Sequence, residues 1–224
     1  MTTIEMDEVA TRYPYRVAAP SRGPIRVHGK FFFAGERKHF VKGVTYGPFV
    51  RGSHGAQFPE AGVVDNDFAL MQEAGVNTVR VFSVPPLWLL DAAHRVGLRV
   101  LVGLPWPQHI AFLESAGTRR DIRDTVSAGV RACHRHAAVF GYLVGNEIPP
   151  DMIRWHGVEP VRRFVRDLVT AAKNEHEHAL VSYANFPSTE YLTIDFTDFV
   201  CFNVYLHEET AFRRYIARLH NLAV

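Results

Sequence analysis

Apolar residues recur along the chain in two alternating patterns. Val64, Phe68 and Met71 follow an i, i+4, i+7 spacing, which predicts a helix with one apolar face. The next apolar segment, residues 77–82, is nearly continuous, as expected for a strand that is covered on both faces. The same exchange between the two patterns continues along the chain. Core strands are predicted near 39–44 and at 77–82, 98–104, 139–146, 179–185 and 198–205, and further helical faces at 89–96, 122–133, 161–172 and 212–219.

Strands that alternate with helices over short connections indicate an α/β domain, either an open doubly wound sheet or a β/α barrel. The connection after the first core strand, residues 44–64, is long and aromatic. It contains neither G-x-G-x-x-G nor G-x-x-x-x-G-K-[ST], so the dinucleotide-binding form of the open sheet is excluded. Candidate functional residues instead follow the ends of several strands, where TIM barrels build their active sites. The sequence therefore predicts a (β/α)8 TIM barrel that is incomplete, with about six β/α units present.

The N-terminal region differs from the rest of the chain. Residues 1–24 are polar, contain several prolines and show no period, so we expect a flexible leader there. Turn signals at Gly29 and Gly35 then predict an antiparallel hairpin that leads into the barrel domain, residues 25–224. Because a complete barrel typically needs about 250 residues, we expect a fragment or a barrel that a partner completes. Its unpaired edges would favour self-association.

Composition narrows the expected partners and location. The formal net charge of +2 is too small to predict a nucleic-acid surface or an anionic membrane as partner. The N-terminus lacks the apolar core of a signal peptide and no apolar segment could span a bilayer, so we expect a cytoplasmic protein. Cys133 and Cys201 are interpreted as buried thiols, because a disulfide framework needs more cysteines. Pairs of histidines separated by one residue do not share a helix face, so no metal and no cofactor are expected.

The strongest chemical signal is Asn146-Glu147, which directly follows a buried strand and precedes Pro149-Pro150. Glycoside hydrolysis needs a proton donor whose pKa is held up toward neutrality beside the scissile bond. A glutamate at the rim of a barrel, next to apolar strand residues, meets that need. The alternative interpretation is a helix N-cap followed by a solvated acid.

Four other positions are candidates for the same site. Arg80 lies on a predicted core strand, where its charge needs a partner; that partner is either a catalytic carboxylate or an internal salt bridge. The amide of Asn146 could donate to a sugar hydroxyl or simply cap the strand end. Trp106 and Tyr46 follow strand ends and could stack on sugar rings, with ordinary rim packing as the alternative.

The motifs resemble the catalytic barrel of glycoside hydrolase family 2, over roughly residues 25–224. The segments concerned are GKFFFAGERKHFVKGVTYGPF, NTVRVF, VGNE and CFNVY, in the order of the family. The resemblance implies a retaining mechanism with Glu147 as the general acid/base. It also implies that Arg80 points at the carboxylate of the nucleophile and that Tyr205 hydrogen-bonds it. The family's nucleophile ends the seventh strand, beyond this chain, and Glu208 and Glu209 are the only nearby substitutes.

We therefore expect a retaining glycosidase that acts on a β-linked oligosaccharide or polysaccharide. One alternative is a non-catalytic carbohydrate-binding or scaffolding barrel associated with a polysaccharide glycosyltransferase, which the missing seventh strand favours. Another is an unrelated TIM-barrel lyase or aldolase. That enzyme would need a Schiff-base lysine at a strand end, and Lys42 is the only lysine on a predicted core strand.

Overall fold

The computed structural model describes residues 23–50 and 57–222. The first elements form the predicted hairpin, extended to a three-stranded antiparallel sheet. Gly29 and Gly35 make its two turns with φ of 58° and 61°, a left-handed conformation that glycine adopts without steric cost. The strands are β1 (Ile25–His28), β2 (Phe31–Ala34) and β3 (Arg37–Lys38), in the order β1-β2-β3. Most of the expected leader, residues 1–22, lies outside the described ranges.

A second sheet carries the rest of the chain, and all six of its strands are parallel and follow one another in chain order. All six predicted core strands occur, but the two outer ones are short, as edge strands often are. The strands are β4 (Gly43–Thr45), β5 (Thr78–Val81), β6 (Arg99–Gly103), β7 (Val139–Asn146), β8 (Val181–Asn185) and β9 (Cys201–Phe202).

The helices follow the predicted apolar faces. They are α1 (Ala61–Glu73), α2 (Leu87–Arg95), α3 (Ala116–Cys133), α4 (Pro150–His156), α5 (Val158–Glu175) and α6 (Glu209–Leu222). Gly75 and Gly97 follow the ends of α1 and α2 with φ of 79° and 80°, the usual role of a glycine after a helix. Helix α4 is not among the helices that the apolar pattern predicts, and it begins at Pro150. Proline is well tolerated in the first turn of a helix, where its missing N–H costs nothing.

The sheet curls into part of a barrel. Strands β5 and β9 are separated by four strand spacings, which in a flat sheet would place them about 19 Å apart. Arg80 on β5 nevertheless donates a hydrogen bond of 2.8 Å to the side chain of Asn203, just after β9. The prediction of an incomplete TIM barrel is therefore confirmed, with about six of the eight units.

The core lies between the parallel sheet and its helices. Val161, Phe164, Val165, Leu168, Val169 and Ala172, the predicted face of α5, are all buried. Burying each of the Val, Leu and Phe side chains among them contributes roughly 1.5–3 kcal/mol. At the amino ends of the strands, Phe32 of the hairpin packs edge-on against Phe140 and Phe199, with ring centroids 5.0 and 5.4 Å apart. The hairpin therefore covers the barrel floor and leaves the carboxyl ends of the strands to the site.

Within the described ranges, β4 and β9 each have one neighbouring strand. Self-association through these edges stays a prediction, as does the cytoplasmic location. None of the helices in those ranges is long and apolar enough to cross a bilayer. Lys42 is exposed at the amino end of β4, opposite to the rim on which a Schiff-base lysine would act.

Candidate active site

The site is built around the turn that ends β7. Glu147 follows the last residue of the strand and has φ of 52°, a left-handed conformation that is sterically unfavourable for any residue with a Cβ. It is the only non-glycine residue with a positive φ in the described part of the chain. Its own N–H still pairs with the sheet, donating to the carbonyl of Ala184 at 2.9 Å. Strain of this kind persists only where the surroundings determine the conformation.

Two side chains from neighbouring strands hold this turn. Gln108, in the loop after β6, accepts a hydrogen bond of 2.9 Å from the N–H of Asn146. Tyr183 on β8 accepts one of 2.8 Å from the N–H of Ile148. Gly145 makes room for both, because a Cβ there would lie 3.0 Å from the Tyr183 ring and 3.2 Å from Oε1 of Gln108. The backbone on each side of Glu147 is therefore fixed by a polar contact, part-buried at Asn146 and buried at Ile148.

A network of four residues converges on the Glu147 carboxylate. Arg80 donates from Nη1 to Asn203 Oδ1 at 2.8 Å and from Nη2 to Asn146 Oδ1 at 2.5 Å. Asn203 Nδ2 lies 3.0 Å from Asn146 Oδ1 and 2.7 Å from Glu147 Oε1. The hydroxyl of Tyr205 donates to the same Glu147 oxygen. That hydrogen bond raises the pKa of Tyr205, because ionising the phenol would place two negative charges together.

The network leaves specific groups available to a ligand. Asn146 Oδ1 accepts from Arg80 and Asn203, whereas the Nδ2 donor of the same amide makes no hydrogen bond within the described ranges. Glu147 Oε1 accepts two donors, whereas Oε2 accepts none from the same residues. One oxygen of Glu147 and the amide N–H group of the preceding Asn146 are thus left without a partner from the network. This pair can exchange a proton with a glycosidic oxygen and donate to a neighbouring sugar hydroxyl.

The structure brings together four of the predicted residues: Arg80, Asn146, Glu147 and Tyr205. Two of their expected contacts differ. Arg80 binds two amide oxygens instead of a carboxylate, and Tyr205 donates to Glu147 instead of to a nucleophile. In both cases the strand-end amides and Glu147 are the acceptors within reach.

Tyr46 and Trp106 do not line the site as open rings, which corrects the expectation that they stack on sugars. They are only 6% and 7% exposed and belong to the main core cluster. The Tyr46 hydroxyl donates to Asp67 at 2.8 Å, and the Trp106 indole donates to the carbonyl of Val144 at 2.7 Å. Both polar tips are thereby satisfied, which is the condition for burying such rings. Ordinary packing, the alternative interpretation, describes both.

Glu208 and Glu209 are engaged in helix α6, not in the site. Glu208 accepts from the N–H groups of Thr210 and Ala211, which lowers the pKa of its carboxyl. Glu209 pairs with Arg213 at 2.8 Å. Within residues 23–50 and 57–222, no carboxylate other than Glu147 hydrogen-bonds with the network. Those residues also contain no group of three His, Cys, Asp or Glu side chains arranged to hold a metal ion.

Sequence reasoning missed Asn203, Gln108 and Tyr183. A signal for Asn203 was present, because it lies two residues before Tyr205 and alternate residues of an extended segment share a face. Gln108 and Tyr183 act on backbone N–H groups, and such contacts leave no residue pattern in a single sequence.

The curated proteins similar to this chain are fungal 1,3-beta-glucanosyltransferases. The chain is 36% identical over 153 residues to 1,3-beta-glucanosyltransferase gel1 of Aspergillus fumigatus. It is 26% identical over 160 residues to 1,3-beta-glucanosyltransferase PGA4 of Candida albicans. These matches cover 65% and 67% of this chain but 33% and 35% of the relatives. The chain thus spans about a third of the length of the curated relatives it matches.

Solved structures share the fold. A β-glucuronidase of Bacteroides uniformis superposes with a TM-score of 0.71 at 19% identity, over 88% of this chain and 25% of that one. Gas2p of Saccharomyces cerevisiae, solved in complex with laminaripentaose, superposes with a TM-score of 0.67 at 19% identity. That match covers 91% of this chain and 52% of Gas2p. At such identities the likeness shows the barrel fold alone.

The family match is more specific, and it corrects the resemblance to glycoside hydrolase family 2. Residues 15–205 match the sequence profile of glycoside hydrolase family 72, described as glucanosyltransferase. The short motifs around Arg80, Asn146-Glu147 and Tyr205 misled because they are strand-end features of a barrel site and do not distinguish one family from the other. The chain therefore belongs to the glucanosyltransferase family, glycoside hydrolase family 72.

Proposed function

We propose that this chain carries the acid/base part of a retaining β-1,3-glucan transferase site, with Glu147 as the acid/base. The observation that carries the proposal is the network at the end of β7. Asn203 and Tyr205 hold one oxygen of Glu147, while its second oxygen and the amide of Asn146 are left to a ligand. Family membership supports the same chemistry.

In the first step, protonated Glu147 gives its proton to the glycosidic oxygen as the bond from that oxygen to the anomeric carbon breaks. A second carboxylate forms a bond to the anomeric carbon, which gives a covalent glycosyl intermediate. In the second step, a hydroxyl of an acceptor glucan attacks the anomeric carbon and displaces that carboxylate. Its proton passes to Glu147, so the acid/base returns to its starting state. Water in place of the acceptor gives hydrolysis.

Retaining chemistry places the two carboxyl groups about 5–5.5 Å apart. Because no second carboxylate in the described ranges joins the network, the proposal assigns only the acid/base role to these residues. Arg80 is a positioning residue in this scheme. Its planar fork links the amides of Asn146 and Asn203, and Asn203 in turn contacts Glu147.

The substrate class is proposed from the relatives. Gel1 and PGA4 are named as 1,3-beta-glucanosyltransferases, and Gas2p was solved with laminari-oligosaccharides. A β-1,3-linked glucan is therefore the proposed donor and acceptor. Transfer rather than hydrolysis as the main reaction follows from the same names.

The test incubates a chain that includes the segment supplying the second carboxylate with laminaripentaose and follows products by mass spectrometry. We expect products longer than the substrate, which only transfer can make, and their loss in Glu147→Gln. Glu209→Gln is the matched control, because it makes the same chemical change at a carboxylate that pairs with Arg213 outside the network. Longer products from Glu147→Gln at the wild-type rate would refute the acid/base role. Shorter products alone would indicate a hydrolase.

A second candidate is a barrel that binds glucan without turning it over. The observation that favours it is the engagement of Glu208 and Glu209 in helix α6, away from the network. This candidate predicts saturable binding of laminaripentaose with neither longer nor shorter products. The first candidate predicts binding together with transfer.

A further inference from the structure

Trp155 is the most exposed tryptophan in the described ranges, with 68% of its surface accessible. It lies eight residues after Glu147, in the last turn of α4. A single exposed aromatic side chain is ordinary on a protein surface. This one differs in two respects, its anchorage and its place on the barrel.

The indole of Trp155 is held by a side chain from the neighbouring βα loop. Its Nε1 donates a hydrogen bond of 2.7 Å to Oε1 of Glu114, and Glu114 lies in the loop between β6 and α3. This contact ties the loops that follow two adjacent strands. The ring keeps its polar edge satisfied while much of its apolar surface remains open to solvent.

Helix α4 itself is anchored by packing against the core. Ile153 is fully buried, and residues two apart on a helix point to different sides, so Trp155 faces away from the core. His156 packs on Phe112 with ring centroids 4.8 Å apart, which anchors the end of the helix. The exposed ring therefore occupies a preformed position, and preorganisation reduces the entropy cost of binding.

We propose that Trp155, held by Glu114, is an outer subsite on which a β-glucan chain stacks after it leaves the catalytic cleft. The apolar C–H face of a pyranose matches the face of an indole, while the sugar hydroxyls stay in water. Helix α4 is about 10 Å long, so its last turn lies beyond a sugar held at Glu147 itself. The inference rests on the proposed function, because it requires a glucan at the neighbouring site.

The experiment compares binding of laminaritriose and laminariheptaose by titration calorimetry. Wild type is expected to bind the heptaose more tightly, because only the longer chain reaches both sites. Trp155→Ala should weaken heptaose binding about tenfold, equivalent to about 1.4 kcal/mol, and leave triose binding unchanged. Trp155→Phe, which keeps an aromatic face, should retain most of the heptaose affinity. Glu114→Ala should fall between wild type and Trp155→Ala, because the ring is present but no longer held.

Trp88→Ala is the matched control. Trp88 is also partly exposed, at 39%, but its indole makes no hydrogen bond within the described residues, so no change in either affinity is expected. Unaltered heptaose binding by Trp155→Ala would overturn the subsite, as would an equal loss for triose and heptaose. If wild type binds neither sugar, the proposed function fails and the subsite fails with it. If wild type binds both and only the subsite prediction fails, the proposed function stands.

Discussion

Replacing Tyr183 by phenylalanine tests how the strained turn at Glu147 is maintained. The change removes one hydroxyl and keeps the buried ring that packs against Gly145. It leaves the N–H of Ile148 without its acceptor, at a hydrogen bond of 2.8 Å that is buried. An unsatisfied buried N–H costs about 1–3 kcal/mol. We therefore expect Tyr183→Phe to lower the free energy of unfolding by about 2 kcal/mol.

The measurement is urea unfolding followed by circular dichroism. With an m-value of about 3 kcal/mol/M, the expected loss lowers the urea midpoint by roughly 0.7 M. Tyr142→Phe is the matched control, because Tyr142 is equally buried but its hydroxyl meets only the Cys133 thiol, at 3.8 Å. Its loss should cost under about 0.5 kcal/mol, since thiols are weak donors. Equal midpoints for the two variants would refute the idea that Tyr183 holds the turn through its hydroxyl.

Four further changes have defined outcomes. Arg80→Lys should lower the transfer rate at least about tenfold with an unchanged far-UV spectrum, because an ammonium lacks the fork that binds both amide oxygens; a wild-type rate would contradict this. Gly141→Ala should destabilise the fold by more than about 2 kcal/mol, since the new Cβ would lie 2.5 Å from the backbone oxygen of Leu180. Gly62→Ala, in open space on α1, should instead stabilise by about 0.5 kcal/mol in the same urea experiment. Hydrogen bonds from Arg218 lower the pKa of Glu190. Their contribution to the stability of the fold is therefore complete above the ordinary glutamate pKa of about 4.3, and it is lost as the pH falls through the lowered pKa of Glu190. Glu190→Gln should flatten this acid branch of the stability profile, and an unchanged branch would refute the assignment.

The sequence predicted the inner part of the fold well, because burial imposes clear periods there. Helix α5 carries its apolar residues at i, i+3 and i+4 spacings, and β7 carries no charged residue and is polar only at its last position, Asn146. The predicted bounds of the outer strands were less exact. Residues 198–205 were expected to form a strand, but only Cys201–Phe202 pair with β8. A strand at the edge of the described sheet pairs on one side, so its length depends on contacts that a residue pattern does not show.

The candidate site was predictable where chemistry and strand ends coincide. Asn146 and Glu147 were identified because parallel strands bring their carboxyl ends to one rim, Arg80 because its charge on a core strand needs a partner, and Tyr205 from the family resemblance. Trp106 was misjudged because an aromatic residue after a strand can face the cleft or the helices with the same local sequence. Its burial depends on Phe112 and Phe164, which approach it from distant parts of the chain.

The left-handed conformation of Glu147 was also outside the reach of sequence reasoning. A glutamate gives no signal for a positive φ, unlike the glycines that end α1 and α2. The conformation follows from contacts with Gln108 and Tyr183, which lie 39 residues before and 36 after it in the chain. Contacts between residues so far apart in the chain cannot be predicted from the residue pattern of a single sequence.

Chemical rescue tests whether Glu147 is the acid/base of a retaining site. Glu147→Ala, in a chain that includes the segment supplying the second carboxylate, is incubated with a dinitrophenyl β-laminarioside, whose leaving group needs no proton, in the absence and presence of sodium azide. If Glu147 is the acid/base, azide, as a small nucleophile that needs no general base, increases dinitrophenol release and forms the β-glycosyl azide. Release that azide does not change, or an α-glycosyl azide, would contradict that role.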